Sequence, residues 1–276
     1  MQRPASWAMR LALLALASTL PALAACAKSD PRSPRIGDSY EIATDRETSE
    51  QSADGLTSSS TDRDTISARV IAVRDGGVEL EYDYPKDTTP DARAATWQLP
   101  VRVFRPTQGP IQLLNRAELE ARVDPWLKRG RMTRAACGHL IFTWNAFRIE
   151  CDPDSAVGIV EYYDPASVAS APLKRSADGK SFVVQLAVDP ERVRKERADT
   201  DLSVAEISRK PLTREAAQRA HADETITGTI VITFDLDSTG QVRRRTKVTT
   251  IKIVMPNGKP DTQTITETVE RHRLSS

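Results

Sequence analysis

Strands are predicted near both ends of the chain, where apolar and polar residues alternate with a period of two. Residues 78–84 alternate in this way, and residues 65–74 precede them across Asp75-Gly76-Gly77, a turn sequence that predicts a β-hairpin. The polar residues 45–63, rich in Ser and Thr, are expected to turn at Gly55. Shorter strands are expected at residues 40–44, 99–104 and 182–188.

Three long strands are expected at the C-terminal end of the chain. They cover residues 225–236, 241–255 and 262–273. Ser238-Thr239-Gly240 and Asn257-Gly258 supply the turns between them, and Asn-Gly is typical of a tight hairpin.

Helices are predicted in the middle of the chain. Asn115 is expected to cap a helix over residues 116–122, with Glu118 completing a capping box. Asp124-Pro125 is expected to begin a second short helix that Gly130 ends. Further helices are expected over residues 190–198, with Asp189 as the cap, over residues 202–208, and after Thr213, which caps a helix that ends at Ala220. Residues 140–151 fit either a hairpin around Asn145-Ala146 or one helix from Thr133, because short apolar runs are ambiguous.

This element order predicts an α+β fold with antiparallel β-sheet and several short helices in the middle of the chain. It resembles envelope proteins that carry a curved half-barrel sheet with helices over its concave face, such as the bacterial lipoprotein carriers. We expect a single domain over residues 39–274, with subdivisions near residues 110 and 223.

The first 25 residues form a predicted signal peptide. Arg3 and Arg10 precede a short apolar run that is broken by Pro21, the pattern of a secretory leader. The run is too short to cross a bilayer, which takes about 20 apolar residues. The polar residues 26–38 that follow are expected to form a tether.

The leader ends in Leu23-Ala24-Ala25-Cys26. This sequence resembles the lipobox of bacterial lipoproteins, which implies that Cys26 is lipidated and that the protein is exported and membrane-anchored. The residue after the cysteine is Ala27. This position resembles that of lipoproteins sent to the outer membrane, which implies that the protein lies on the periplasmic side of that membrane. Cleavage after Ala24 or Ala27 also satisfies the small-residue rule and would leave a soluble periplasmic protein.

Cys137 and Cys151 remain as a pair if Cys26 carries lipid. In an oxidising compartment an even pair predicts a disulfide, and two buried thiols are the alternative. The three histidines lie far apart in sequence and there is no Cys-x-x-Cys motif, so no metal site and no cofactor are expected.

Charge and aromatic content narrow the functional classes. The chain has 39 Lys+Arg and 38 Asp+Glu, which argues against nucleic-acid binding, since such proteins usually have a basic excess. Aromatic residues make up only 5%, so a local concentration of them predicts the main core or the lining of a pocket. The members of this aromatic cluster are Trp126, Phe142, Trp144 and Phe147.

Two short motifs each match part of a functional motif, one of an esterase and one of a calcium-binding loop. Gly37-Asp38-Ser39-Tyr40 resembles the Gly-Asp-Ser-Leu block of envelope esterases, which would make Ser39 a nucleophile. The family's Asp-x-x-His block is incomplete, because Val269 stands three residues before His272. Asp235–Gly240 begins like a calcium loop but has Thr246 where a bidentate Glu is needed. A turn is the simpler prediction for both.

Two charged segments have structural explanations as well as functional ones. Glu161 and Asp164 bracket Tyr162-Tyr163. They fit either an acid–base pair beside sugar-stacking tyrosines or, more simply, the edge of a strand. Arg243-Arg244-Arg245 with Lys247 fits contact with anionic lipid or polysaccharide phosphates, or a solvated strand edge that resists sheet association.

We therefore expect no catalytic residues and a non-enzymatic binding or scaffolding role in the cell envelope. Expected partners are the membrane, through the lipid, and envelope proteins. Carriage of an apolar ligand or lipid in a curved sheet is the alternative function, followed by an envelope hydrolase.

The lipid assignment is tested by labelling producing cells with a fatty-acid analogue. Wild type should incorporate label and Cys26→Ser should not, because the thiol is the acylated group. Equal labelling of both proteins, or of neither, would contradict lipidation of Cys26.

Overall fold

The computed structural model describes residues 33–52, 54–142, 146–166 and 172–274, without the side chains of residues 140–147. Its strands are β1 (Ser39–Gln51), β2 (Thr57–Arg74), β3 (Gly77–Asp83), β4 (Val101–Pro106), β5 (Gln112–Leu113), β6 (Leu140–Phe142), β7 (Ala146–Arg148), β8 (Lys174–Arg175), β9 (Ser181–Ala187), β10 (Thr225–Leu236), β11 (Val242–Val254) and β12 (Pro260–Arg273). Its α-helices are α1 (Pro90–Arg93), α2 (Arg116–Arg129), α3 (Ser155–Tyr163), α4 (Pro190–Ile207) and α5 (Arg214–Ala220).

One open antiparallel sheet joins both ends of the described chain. Its strand order is β5-β4-β3-β2-β1-β12-β11-β10-β9-β8, and the short hairpin β6-β7 lies outside it. The first and last long strands are neighbours, with Tyr40 opposite Arg273. The predicted antiparallel sheet is therefore present. For residues 140–151, the pairing of β6 with β7 favours the hairpin over the helix.

Most of the polar segment between the first two predicted strands is itself β-strand and extends β1 and β2. β1 and β2 pair along their whole length from Ser39–Arg69 to Gln51–Thr57, and Gly55 lies in the turn with φ of +81°. The prediction ended the first strand too early, because it relied on apolar alternation. Here the backbone ladder to β2 and β12 forms although most of the side chains are exposed and polar.

Helices predicted as pairs are continuous. α2 runs through Pro125 and ends before Gly130, and α4 spans the two helices expected over residues 190–208. Proline lacks only one backbone N–H, and burial of Leu119, Val123 and Leu127 along one face of α2 compensates for that lost hydrogen bond. Asp189 and Thr213 cap α4 and α5 as expected.

The capping box predicted at Asn115 is absent. Asn115 precedes α2, but its side chain makes no capping hydrogen bond. Instead its Oδ1 accepts from the backbone N–H of Arg102 at 2.9 Å and its Nδ2 donates to the carbonyl of Pro100 at 3.2 Å. Glu118 forms an ion pair with Arg102. Both side chains thus bind β4, a contact between distant segments that local spacing does not reveal.

The core lies on the inner face of the sheet, the face that α2 and α3 cover. Ile42, Ile66, Tyr82 and Val101 belong to the main cluster of buried side chains, together with Val160 of α3. Two smaller clusters lie at the other end of the sheet: Val188, Val193, Ile226 and Ile253 form one, and Val184, Ile232 and Phe234 the other.

Between these clusters, Asp164 at the end of α3 contacts strands that are far apart in the sheet. Its carboxylate is 2.8 Å from Arg105 of β4, and its carbonyl accepts from Arg245 of β11 at 3.0 Å. Five strand spacings separate these strands, about 24 Å in a flat sheet. Side chains that also rise from the sheet to a helix packed on it would not span that gap. The shared contact therefore indicates that the open sheet curves around α3.

Candidate functional site

A recess between α3 and the inner face of the sheet is the best candidate for a ligand site. Its volume is about 440 Å³, within the range of about 300–1,000 Å³ that is usual for small-molecule pockets. Three tyrosines dominate it, and we call it the tyrosine recess. Its lining residues are Asp64, Tyr84, Thr96, Leu99, Ser155, Gly158, Ile159, Tyr162 and Tyr163.

Tyr163 fixes one wall of the tyrosine recess. Its side chain is buried, and its hydroxyl donates to Oδ2 of Asp64. The other carboxylate oxygen of Asp64 accepts from the backbone N–H of Thr65 at 2.7 Å. The carboxylate is thus oriented by two donors, and the hydrogen bond ties α3 to β2.

Tyr162 forms the open side of the tyrosine recess. Its side chain is 39% exposed, and its ring meets the ring of Tyr163 edge to face, with centroids 5.2 Å apart. Partial burial raises its pKa, although a hydrogen bond with Thr44 acts in the other direction. An accessible ring with a fixed neighbour offers a ligand one aromatic face at little cost in ordering.

The four residues Glu161–Asp164 are not a strand edge, as the simpler prediction had it. They are the last turn of α3 and its C-terminal cap. Glu161 is exposed, whereas Asp164 is buried and paired with Arg105. The two carboxylates therefore differ in environment and do not share the tyrosine recess.

The basic segment of β11 does not lie at an edge either. β11 pairs with β10 on one side and with β12 on the other. Arg245 donates to the carbonyls of Tyr162 and Asp164, and Lys247 bonds Glu267 at 2.7 Å. Arg245 thus binds the end of α3, and Lys247 binds the neighbouring strand β12. Both side chains project from the same face of β11, the inner face. Burial lowers the pKa of Arg245.

Cys137 and Cys151, the predicted pair, form a disulfide. The Cys137–Cys151 disulfide has a Cα–Cα distance of 5.6 Å and links the segment after α2 to the segment before α3. Cys26 itself, with the rest of the predicted leader and most of the tether, lies outside the described residues.

The predicted aromatic cluster is only partly described. Trp126 of α2 is partly buried against the main core and donates from Nε1 to the carbonyl of Ala95 at 2.9 Å. Phe142 and Phe147 lie on β6 and β7, but their side chains, and Trp144 altogether, are outside the described part. Their role stays a prediction.

The esterase-like motif at residues 37–40 and the calcium-loop-like motif at residues 235–240 both lie at turns. Gly37 has φ of +93° just before β1, and the Ser39 hydroxyl donates to its carbonyl at 3.1 Å. Asp237 accepts from Thr239 and Gln241 in the turn between β10 and β11. Within the described ranges no group of three or more His, Cys, Asp or Glu side chains is arranged for a metal ion. No described helix has the length and apolar character needed to cross a membrane.

Sequence reasoning missed most of the tyrosine recess. Tyr84 was assigned to the end of a strand and Asp64 to no element, and neither was linked to α3. Trp97, buried and bonded through Nε1 to the carbonyl of Glu150 at 3.0 Å, was also overlooked. The Tyr162-Tyr163 pair was the available signal, because two adjacent tyrosines are conspicuous in a chain with five.

Comparisons with known proteins do not assign a family. No protein-family model and no curated protein matches the chain. A lipovitellin structure described under lipid–protein interactions aligns with 88% of this chain and 26% of its own, at 8% identity and a TM-score of 0.35. The dehydratase domain from the CurF module of curacin polyketide synthase aligns with 90% of this chain and 80% of its own, at 12% identity and a TM-score of 0.14. The chain thus spans about a quarter of the lipovitellin chain, and at these TM-scores neither alignment supports an argument about function.

Buried tyrosines predict a loss of stability at high pH. Burial raises the pKa of Tyr82 and of Tyr163 above the ordinary 10.0. A raised pKa in the folded state means that stability is complete below about pH 10 and falls as the pH rises further. Tyr82→Phe removes one such group, so the free energy of unfolding should fall less steeply above about pH 10 than in wild type.

Circular dichroism with tyrosinate absorbance measures this dependence. Tyr82 and Tyr163 should ionise only as the protein unfolds. Ionisation of all five tyrosines while the circular dichroism remains native would contradict their burial.

Proposed function

We propose that the protein is an exported, lipid-anchored binding protein of the cell envelope, without enzymatic activity, that holds a sugar-like ligand in the tyrosine recess. Cys26 supplies the anchor, and residues 27–38 hold the body off the membrane at the periplasmic side of the outer membrane. The tyrosine recess is the observation that carries the binding role.

The lining of the tyrosine recess supports a ligand with one apolar face and several hydroxyls. The rings of Tyr84 and Tyr162 offer large amphipathic surfaces. The Asp64 carboxylate accepts hydrogen bonds, and the hydroxyls of Thr96 and Ser155 both donate and accept. A sugar ring presents this combination, because its C–H groups cover one face and its hydroxyls lie around the rim. Envelope polymers supply such rings in abundance.

The same recess is where an apolar ligand would bind if the protein were a carrier. Leu99 and Ile159 contribute aliphatic surface there. In contrast, the buried apolar side chains of the main cluster on the inner face are packed together with residues of α2 and α3. A short acyl segment is therefore the second ligand to test, at the same residues.

Gly158 allows the tyrosine recess to be filled without disturbing the fold. It lies in α3, lines the recess, and an added Cβ would meet nothing within 4 Å. Gly158→Leu should abolish binding by occupying the space. Gly158→Ala is the matched control. It removes the same helical glycine, with an expected gain of about 0.5–1 kcal/mol, but adds only a methyl group.

Isothermal titration with the disaccharide unit of peptidoglycan, and separately with lauric acid, measures the result. We expect the disaccharide to bind wild type and Gly158→Ala but not Gly158→Leu. Lauric acid binding with the same pattern would favour the carrier. No binding of either compound, or binding that Gly158→Leu leaves unchanged, would reject the tyrosine recess as the site.

A further inference from the structure

A second recess, lined by arginines, lies at the end of the sheet where β1 begins. We call it the cationic recess. Its volume is about 310 Å³, and Arg243, Arg271 and Arg273 line it with Tyr40 and Gln241. β1 and β11 begin here and β12 ends here. We infer that this cationic recess binds a phosphate group, carried either by a lipid headgroup or by a soluble phosphate compound.

Arg271 is held in place by uncharged groups. Its guanidinium lies 5.0 Å from the centroid of the Tyr40 ring, and it donates to Oε1 of Gln241 and to the carbonyl of Val242, each at 3.2 Å. Guanidinium has five N–H donors in a fixed plane. These contacts orient the group, leave donors for a ligand, and do not neutralise its charge.

Three carboxylates lie near the cationic recess, and each is engaged differently. Asp38 pairs with Arg273, so that cation is largely compensated. Asp237 lines the recess, accepts three hydrogen bonds from its own turn and interacts electrostatically with Arg271 without a direct hydrogen bond. Glu270 lies 3.8 Å from Arg243, whose side chain is 52% exposed.

Arg243 and Arg271 are therefore the two cations best placed to share an anion. The fork of N–H groups on each guanidinium matches the oxygens of a phosphate, and such contacts are stronger than hydrogen bonds between neutral groups.

The position of the cationic recess connects this inference with the proposed lipid anchor, on which its membrane arm rests. Twelve residues, 27–38, separate Cys26 from β1, and a chain of that length reaches at most about 40 Å even when fully extended. Ser39 and Tyr40 follow this segment directly. An anchored body would thus present this end to the headgroups at high effective concentration, where a weak contact is sufficient.

Phosphate binding is tested on the Cys26→Ser protein, which lacks the acylated thiol and so cannot insert by its lipid. Inorganic phosphate is titrated by calorimetry. Sedimentation with phosphatidylcholine vesicles, with and without phosphatidic acid, distinguishes the membrane source. Arg243→Glu should weaken phosphate binding at least about tenfold, as expected for loss of one charge-assisted contact, and Arg243→Gln should weaken it less.

Arg63→Glu is the matched control, because Arg63 is a strand arginine that pairs with a carboxylate, as Arg243 does, but lies outside the cationic recess. It should leave phosphate binding nearly unchanged. Sedimentation that requires phosphatidic acid and Arg243 assigns the phosphate to a lipid, whereas binding of inorganic phosphate alone assigns it to a soluble compound. No saturable phosphate binding, or equal losses in Arg243→Glu and Arg63→Glu, would overturn the site. Fatty-acid labelling of Cys26 is independent of this result, so failure of the anchor and failure of the recess are distinguishable.

Discussion

The contacts of Asp164 determine how the two halves of the sheet face each other. A buried carboxylate is unfavourable unless it is paired, and Arg105 of β4 supplies the charge at 2.8 Å. Arg245 of β11 binds the carbonyl of the same residue, at the C-terminal end of α3, where cations are favoured by the helix dipole. One residue thus connects strands that a flat sheet would keep apart. We expect the curvature of the sheet to depend on this residue, whereas α3 is also held by the Tyr163–Asp64 hydrogen bond and by the main core.

The tyrosine recess follows from this arrangement. With α3 fixed over the inner face, Tyr162 and Tyr163 project towards β1 and β2 and enclose the tyrosine recess. At the end of the sheet where β1 begins, Arg271 of β12 and Arg243 of β11 line the cationic recess. An aromatic recess for a sugar and a cationic recess for phosphate would suit a protein that works among the glycans and lipids of an envelope. That shared setting makes the two proposals mutually consistent, although each is tested separately.

Local signals in the sequence predicted the local structure well. Turns with glycine, including Gly55 and Gly76, were found because positive φ favours glycine over a few residues. The caps at Asp189 and Thr213 are equally local. Asn115, Asp164 and Arg245 could not be placed, since their partners lie on distant strands. The tyrosine recess was missed for the same reason: Asp64 and Tyr163 are 99 residues apart.

A double-mutant cycle on Arg105 and Arg245 tests the curvature most directly. Urea unfolding is measured for Arg105→Met, Arg245→Met and the double variant, with Arg105→Met plus Arg63→Met as the control pair. If both arginines hold Asp164, their effects should be non-additive by at least about 0.5 kcal/mol, whereas the control pair should add. Additivity of Arg105 and Arg245 within about 0.3 kcal/mol would contradict a sheet curved around a shared contact.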